Sequence, residues 1–136
     1  MAGSTYMYES YKDCVEKIHK IRDTIAEKPF RIANHIGPII FGIMGRGLVG
    51  MGAKDVLEEL GATQISTLEL EDISKLDSTK SYYVVLGRKH HLQKEDNEEF
   101  DEADFFKDTS QYKVVFYEKY LPKLTVFINC INWDKR

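Results

Sequence analysis

Pro38-Ile39-Ile40-Phe41-Gly42-Ile43-Met44-Gly45-Arg46-Gly47-Leu48-Val49-Gly50-Met51-Gly52-Ala53 is the stretch on which the reading of this chain turns. A short apolar run passes directly into Gly-x-Gly-x-x-Gly and then into a helical pattern. That spacing is a weak signal alone, but here it sits in the strand–turn–helix context the motif requires. Gly45 permits the tight turn off the strand, Gly47 lets backbone approach a pyrophosphate, and Gly50 lets the helix pack on the strand. The helix start would turn free N–H groups and partial positive charge toward phosphates. The competing reading is a glycine-rich strand–helix turn without a ligand.

The strand covers 39–44 and its helix 48–60, stopped by Gly61. Val49, Ala53, Val56, Leu57 and Leu60 make the helix's apolar face. A second strand is expected at 63–67, a short helical stretch at 70–76, and a third strand at 82–86. The third is nearly all apolar or aromatic, as a strand buried on both faces should be. Gly87-Arg88-Lys89-His90-His91 follows, and then an acidic segment over 95–104, which reads as a solvated surface helix or loop. Phe105, Phe106, Tyr112, Val115, Phe116, Tyr117 and Tyr120 suggest one or two helices laying an aromatic face on the sheet, ended by Pro122. The fourth strand is 124–129.

Upstream, residues 9–28 read as an amphipathic helix. Tyr11, Cys14, Val15, Ile18, Ile21 and Ile25 recur at three- and four-residue steps, Ser10 and Asp13 resemble a capping box, and Pro29 marks the stop. This helix is expected to pack on the sheet or to join it to a further domain. Residues 1–8 read as a disordered start or expression scar, and 9–136 as the domain. The fold class is α/β: a Rossmann-like, mostly parallel sheet with helices on both faces, preceded by one helix. Right-handed crossovers and the Rossmann rule give sheet order 3-2-1-4. Such a sheet is an incomplete dinucleotide-binding domain. Its fourth strand is left as an edge, which suggests a fragment of a longer chain or pairing with another copy.

The 136 residues are 43% hydrophobic and 30% charged, which suits one soluble domain. A net charge of -3 gives no footprint for nucleic acid or an anionic membrane. No apolar run is long enough to span a bilayer, and no signal peptide is evident. Cys14 and Cys130 lack Cys-x-x-Cys spacing, so reduced thiols in an intracellular protein are the default.

From residue 36 to 136 the chain resembles the cofactor-binding segment of the reductase half of lysine-ketoglutarate reductase/saccharopine dehydrogenase (alpha-aminoadipic semialdehyde synthase). The alanine dehydrogenase/transhydrogenase C-terminal domains are its wider relatives. Ile36-Gly37-Pro38, Gly45-x-Gly47-x-Val49-x-x-Gly52-Ala53, Arg88-x-His90-His91-Leu92, Tyr112-x-x-x-Phe116 and Pro122 carry the resemblance. Most specific is Ile128-Asn129-Cys130-Ile131-Asn132-Trp133-Asp134-Lys135-Arg136. The resemblance implies a reductase that condenses L-lysine with 2-oxoglutarate and reduces the imine to saccharopine with NADPH. It places the catalytic lysine and histidine in an N-terminal domain and its partner lobe, and no stretch here matches them. No catalytic residue is therefore assigned, and the chain alone is expected to bind cofactor without turnover. Relatives in the cytosol or mitochondria leave both compartments open. The family often has a small or polar residue where Arg46 stands, and a polar one where Leu48 stands.

The expected cofactor-binding residues are Gly45, Arg46, Gly47, Leu48, Val49, Gly50, Ser66, Arg88, Asn129 and Cys130. Arg46 is a partner for a 2′-phosphate or adenine, or a solvated loop cation. By counting from the motif, Glu69 is the ribose-reading carboxylate, or else a helix cap. By the family's register the position falls on Ser66, which is not acidic. Ser66 and Arg46 together lean toward NADP(H), with NAD(H) as the alternative. Arg88, at the end of the third strand, is a candidate for cofactor phosphate or adenine. Asn129 is a candidate for the nicotinamide ribose or carboxamide, beside Cys130. His90 and His91, adjacent in an extended chain, make a poor metal pair, and no metal is assigned. Two rival functions remain: a stand-alone nucleotide-binding or regulatory module, and a methyltransferase, against which the non-acidic Ser66 argues.

Overall fold

The computed structural model describes residues 4–27, 37–95 and 98–131. Ile36, Lys28 and residues 132–136 of the terminal run lie outside the described residues, as do 1–3 of the expected disordered start. The first helix, α1 (Tyr11–Glu27), is followed by β1 (Ile39–Met44) and α2 (Leu48–Glu59). Next come β2 (Thr63–Gln64), α3 (Thr67–Glu71) and β3 (Ser81–Leu86). A segment of α4 (Arg88–His91), β4 (Leu92–Lys94), α5 (Glu102–Lys107) and β5 (Tyr112–Val114) precedes α6 (Phe116–Lys119) and β6 (Val126–Asn129).

Four parallel strands form the main sheet, and β4 and β5 pair antiparallel in a separate two-stranded ribbon. Alternation along β1 and β3 divides the core between the two faces of this sheet. Ile40, Met44, Tyr82, Val84 and Leu86 point to one face, where Leu70 of α3 and Phe116 of α6 cover them. Ile43 and Tyr83 point to the other, against Leu57 of α2 and Ala62. The fold is thus α/β and Rossmann-like, with helices on both faces of the sheet.

The strand order is β2-β3-β1-β6, not the expected 3-2-1-4: the second and third strands have exchanged places. Burial explains the exchange. β3 is the strand with apolar residues for both faces, and it pairs with β1 over all six positions from Ile39↔Ser81 to Met44↔Leu86. β2 is two exposed residues, Thr63 and Gln64, and lies outside β3 as an edge. The chain leaves β1 in one direction to reach β2 and turns back to reach β3. Crossovers of one hand made in opposite directions put their helices on opposite faces. That is why α2 and α3 cover different sides.

Other elements depart from expectation locally. The inward face of α2 carries Gly50, Ala53, Leu57 and Leu60, while Val49 and Val56 are 68% and 43% exposed. Ser10 does cap α1, accepting the Asp13 N–H at 3.2 Å. Yet α1 packs on α2 rather than on the sheet: His19 is hydrogen-bonded to Glu59, and the Arg22 stem lies over Gly61. A strand, β5, stands within the aromatic stretch read as helical, and the β4–β5 ribbon was not foreseen. Its strands have three residues each, too short for a period to register.

Ile43 is fully buried between β1 and α2. Ile43→Ala should destabilise the chain by about 2–5 kcal/mol in urea unfolding. Val56→Ala, on the outward side of the same helix, should cost less than about 1 kcal/mol.

Candidate functional site

The site is built around the end of β1. Gly45 donates its N–H to the Leu86 carbonyl at 2.9 Å, and the Cys130 N–H donates to the Met44 carbonyl at 2.8 Å. The turn therefore lies between the ends of β3 and β6. Gly45 has φ +119°, and a Cβ there would sit 2.8 Å from the Cys130 carbonyl oxygen. A Cβ at Gly50 would run into the Gly45 carbonyl oxygen, so α2 can approach β1 only with glycine at this position. Gly47 is the N-cap of α2, has no side chain capping bond, and faces open space. The first N–H groups of a helix lack partners within it and carry the positive end of its dipole.

A cleft of about 1380 Å³ opens at this edge of the sheet. It exceeds the roughly 300–1,000 Å³ of an ordinary small-molecule pocket. Met44, Gly45, Arg46 and Gly47 line it from β1, Gly87, Arg88 and Lys89 from β3, and Cys130 and Ile131 from β6. The far wall is aromatic: Phe100, Phe105 and Phe106 from the segment carrying α5. Ligands of open α/β sheets bind outside the carboxyl ends of the strands, which is where this cleft lies.

Its rim is cationic. The Arg46 side chain reaches from the end of β1 to the end of β3, where its Nε would lie 3.5 Å from a Cβ on Gly87. Among the described residues it has no carboxylate partner. Arg88 pairs with Glu102 of α5 and holds its guanidinium carbon 4.9 Å from the centroid of Phe106. His90 turns away: its Nδ1 accepts the Gly87 N–H at 2.9 Å, and its ring meets Tyr120 edge-on. His91 packs on Phe116, with its Nδ1 buried and unpartnered among the described residues. The two rings diverge, and no cluster of three metal-ligating side chains occurs among the described residues. Burial first, then Lys89 and Arg46, holds the His90 pKa below its usual 6.5. Burial does the same for His91.

The structure brings together Gly45, Arg46, Gly47, Arg88 and Cys130 on the cleft, with Gly50 directly behind the turn. Leu48 and Val49 stand on the first turn of α2 with side chains 87% and 68% exposed, outside the lining. Asn129 also lies outside it and accepts the Ile131 N–H at 3.2 Å. Ser66 is remote, at the N-terminus of α3 beyond the edge strand. It forms a reciprocal cap with Glu69: its Oγ accepts the Glu69 N–H at 3.2 Å, and Glu69 accepts the Ser66 N–H at 2.8 Å. These bonds to Ser66 hold the Glu69 carboxyl below its usual range, so the helix-cap reading of Glu69 is the one realised. The sequence reading missed Phe100, Phe106 and Glu102. The signal was the pair of phenylalanines closing an acidic run otherwise assigned to solvent.

No protein-family model matches the chain. Among curated proteins it is similar to alpha-aminoadipic semialdehyde synthase of Arabidopsis thaliana, 29% identical over 98% of this chain. It is likewise similar to the mitochondrial alpha-aminoadipic semialdehyde synthases of Mus musculus and Rattus norvegicus, each 30% identical over 95% of the chain. The chain spans 14% of the length of each of these relatives. No helix among the described residues is long and apolar enough to cross a membrane.

Two outcomes follow from this geometry. Gly45→Ala and Gly50→Ala should each destabilise the fold by about 1–3 kcal/mol, whereas Gly47→Ala should change stability by less than about 0.5 kcal/mol. The histidines give a pH dependence. Their folded pKa values lie below the unfolded one, so the unfolded chain binds more protons as pH falls. Stability should be complete above about pH 6.5 and decline below it. Thermal unfolding followed by circular dichroism should show this fall, made shallower in the double variant His90→Gln/His91→Gln.

Proposed function

We propose that this chain, a homologue of a segment of alpha-aminoadipic semialdehyde synthase, is the NADP(H)-binding part of a lysine-ketoglutarate reductase. In the longer enzyme, L-lysine and 2-oxoglutarate condense with loss of water, and the resulting imine takes a hydride and a proton to give saccharopine and NADP+. The observation that carries the reading is the glycine turn opening at the N-terminus of α2 into a cation-rimmed cleft. Gly45, Gly47 and the first turn of α2, with Leu48, Val49 and Gly50, would cradle the pyrophosphate through backbone N–H groups. Cys130 on the cleft, and Asn129 beside it at the end of β6, would serve the nicotinamide half. Dinucleotide folds that select NAD end the strand beside the first with a carboxylate that binds the ribose hydroxyl. The strand beside β1 here is β3, and it leads straight into Gly87-Arg88-Lys89 at the start of α4. Cations in that place, with Arg46 reaching over from β1, favour a 2′-phosphate and hence NADP(H) over NAD(H). Ser66 lends no carboxylate to oppose it.

The proton-transfer groups belong to an N-terminal catalytic domain outside this chain, so the chain alone binds without turnover. The open β6 edge is completed by further strands of the longer chain, with a second copy as the alternative partner. Its compartment is that of the longer protein: mitochondrial, as the mammalian relatives are named, or cytosolic.

Calorimetric titration of the chain with NADPH and, separately, NADH tests the reading. NADPH should bind more tightly, and Gly47→Asp should abolish binding of both while leaving the fold intact. Arg46→Ala should weaken NADPH about tenfold and leave NADH nearly unchanged. Equal affinity for the two, or affinity unmoved by Gly47→Asp, overturns it.

A further inference from the structure

The aromatic wall of the cleft has no part in the phosphate cradle, and its construction gives it a role. We infer that the segment carrying β4, α5 and β5 presents a purine platform, in which the Phe106 ring and the Arg88 guanidinium form one stacking surface for the adenine of the dinucleotide. This rests on the dinucleotide reading above and adds the base-binding subsite to it.

Phe106 is held through its helix. α5 has six residues, too few to be stable by itself. It is pinned from three sides. Phe105 packs edge-on against Tyr112 at 5.3 Å and tilted against Phe100 at 5.8 Å. The Tyr112 hydroxyl donates to the Asp101 carbonyl at 3.1 Å, and Lys94 of β4 pairs with Asp104 at 3.1 Å. Glu102 pairs with Arg88 at the end of β3. Phe105 is thereby the anchor, and its neighbour Phe106 is left projecting, 62% exposed, on the wall of the cleft.

An isolated exposed phenylalanine needs no explanation. Phe106 differs because it lines a cavity and has a guanidinium 4.9 Å from its centroid. Glu102 fixes that guanidinium in place and offsets part of its charge. A flat cation on a flat ring is a surface that accepts a purine face without reading its edges. The surface also lies on the side of the cleft where the β3 end replaces the usual ribose-reading strand. A base there would keep its 2′-phosphate beside Arg46 and Lys89.

The test compares NADPH with reduced nicotinamide mononucleotide, which lacks the adenosine half, on the chain and on Phe106→Ala. The exposed position of Phe106 should leave folding unchanged, checked by circular dichroism. Phe106→Ala should weaken NADPH at least tenfold, leave the mononucleotide unchanged, and be restored by Phe106→Tyr. Saturation-transfer NMR with irradiation of aromatic protein protons should give the strongest transfer to the purine protons, lost in Phe106→Ala. Phe106→Ala that binds NADPH like the original chain, or weakens both ligands equally, overturns the inference while the dinucleotide reading stands. If the original chain binds neither ligand, the dinucleotide reading fails and the inference with it.

Discussion

The contact between Gly50 and the Gly45 carbonyl is the constraint on which the rest of the molecule depends. With no side chain on either residue, the first turn of α2 settles against the end of β1. That contact sets the direction of the whole helix. It brings Ala53, Leu57 and Leu60 down onto Ile43 and Tyr83, and it leaves the helix N-terminus at the carboxyl edge of the sheet. Core packing and the open cleft are therefore two results of one close approach. Gly47, between the two constrained glycines, has room for a Cβ, which would meet nothing within 4 Å.

The second organising fact is that β3, not β2, flanks β1. The exchange changes the chemistry at the cleft. The end of β2, with Ser66 and Glu69, is committed to capping α3 at a distance. The end of β3, with Arg88 and Lys89, takes the place beside the glycine turn. α5 then lies over the same edge, so the end of β3 supplies part of the cationic rim and supports the aromatic wall.

Much of this was legible in the sequence, and the limits have physical causes. The glycine turn was readable because its glycines stand at a fixed spacing between an apolar run and a helical period, all within one short stretch. The fold class followed from apolar runs alternating with helical periods. Strand order was not readable from the Rossmann rule, yet the information was present: the run Tyr82-Tyr83-Val84-Val85-Leu86 demanded cover on both faces, and Thr63-Gln64 did not. Giving burial precedence over the rule would have placed β3 at the centre. The cleft's far wall was hidden because Phe106 and Glu102 act through partners distant in sequence. The outward turn of Val49 and Val56 was hidden because the apolar stripe of α2 is wider than the surface it covers. His19 meets Glu59, 40 residues away in sequence, because α1 lies on α2.

The placement of β6 also governs how the chain must come together in time. Its first contact with β1 joins residues 85 apart, the Thr125 hydroxyl accepting the Ile40 N–H. Contacts of such separation require a long loop to close before any energy is returned, which slows folding. A nascent chain can pair β1 with β3 early, but one side of β1 stays bare until residues 126–129 emerge. Until then the most apolar strand of the sheet offers an open ladder to any neighbouring strand, so the interval between the emergence of β3 and that of β6 carries the greatest risk of misassembly.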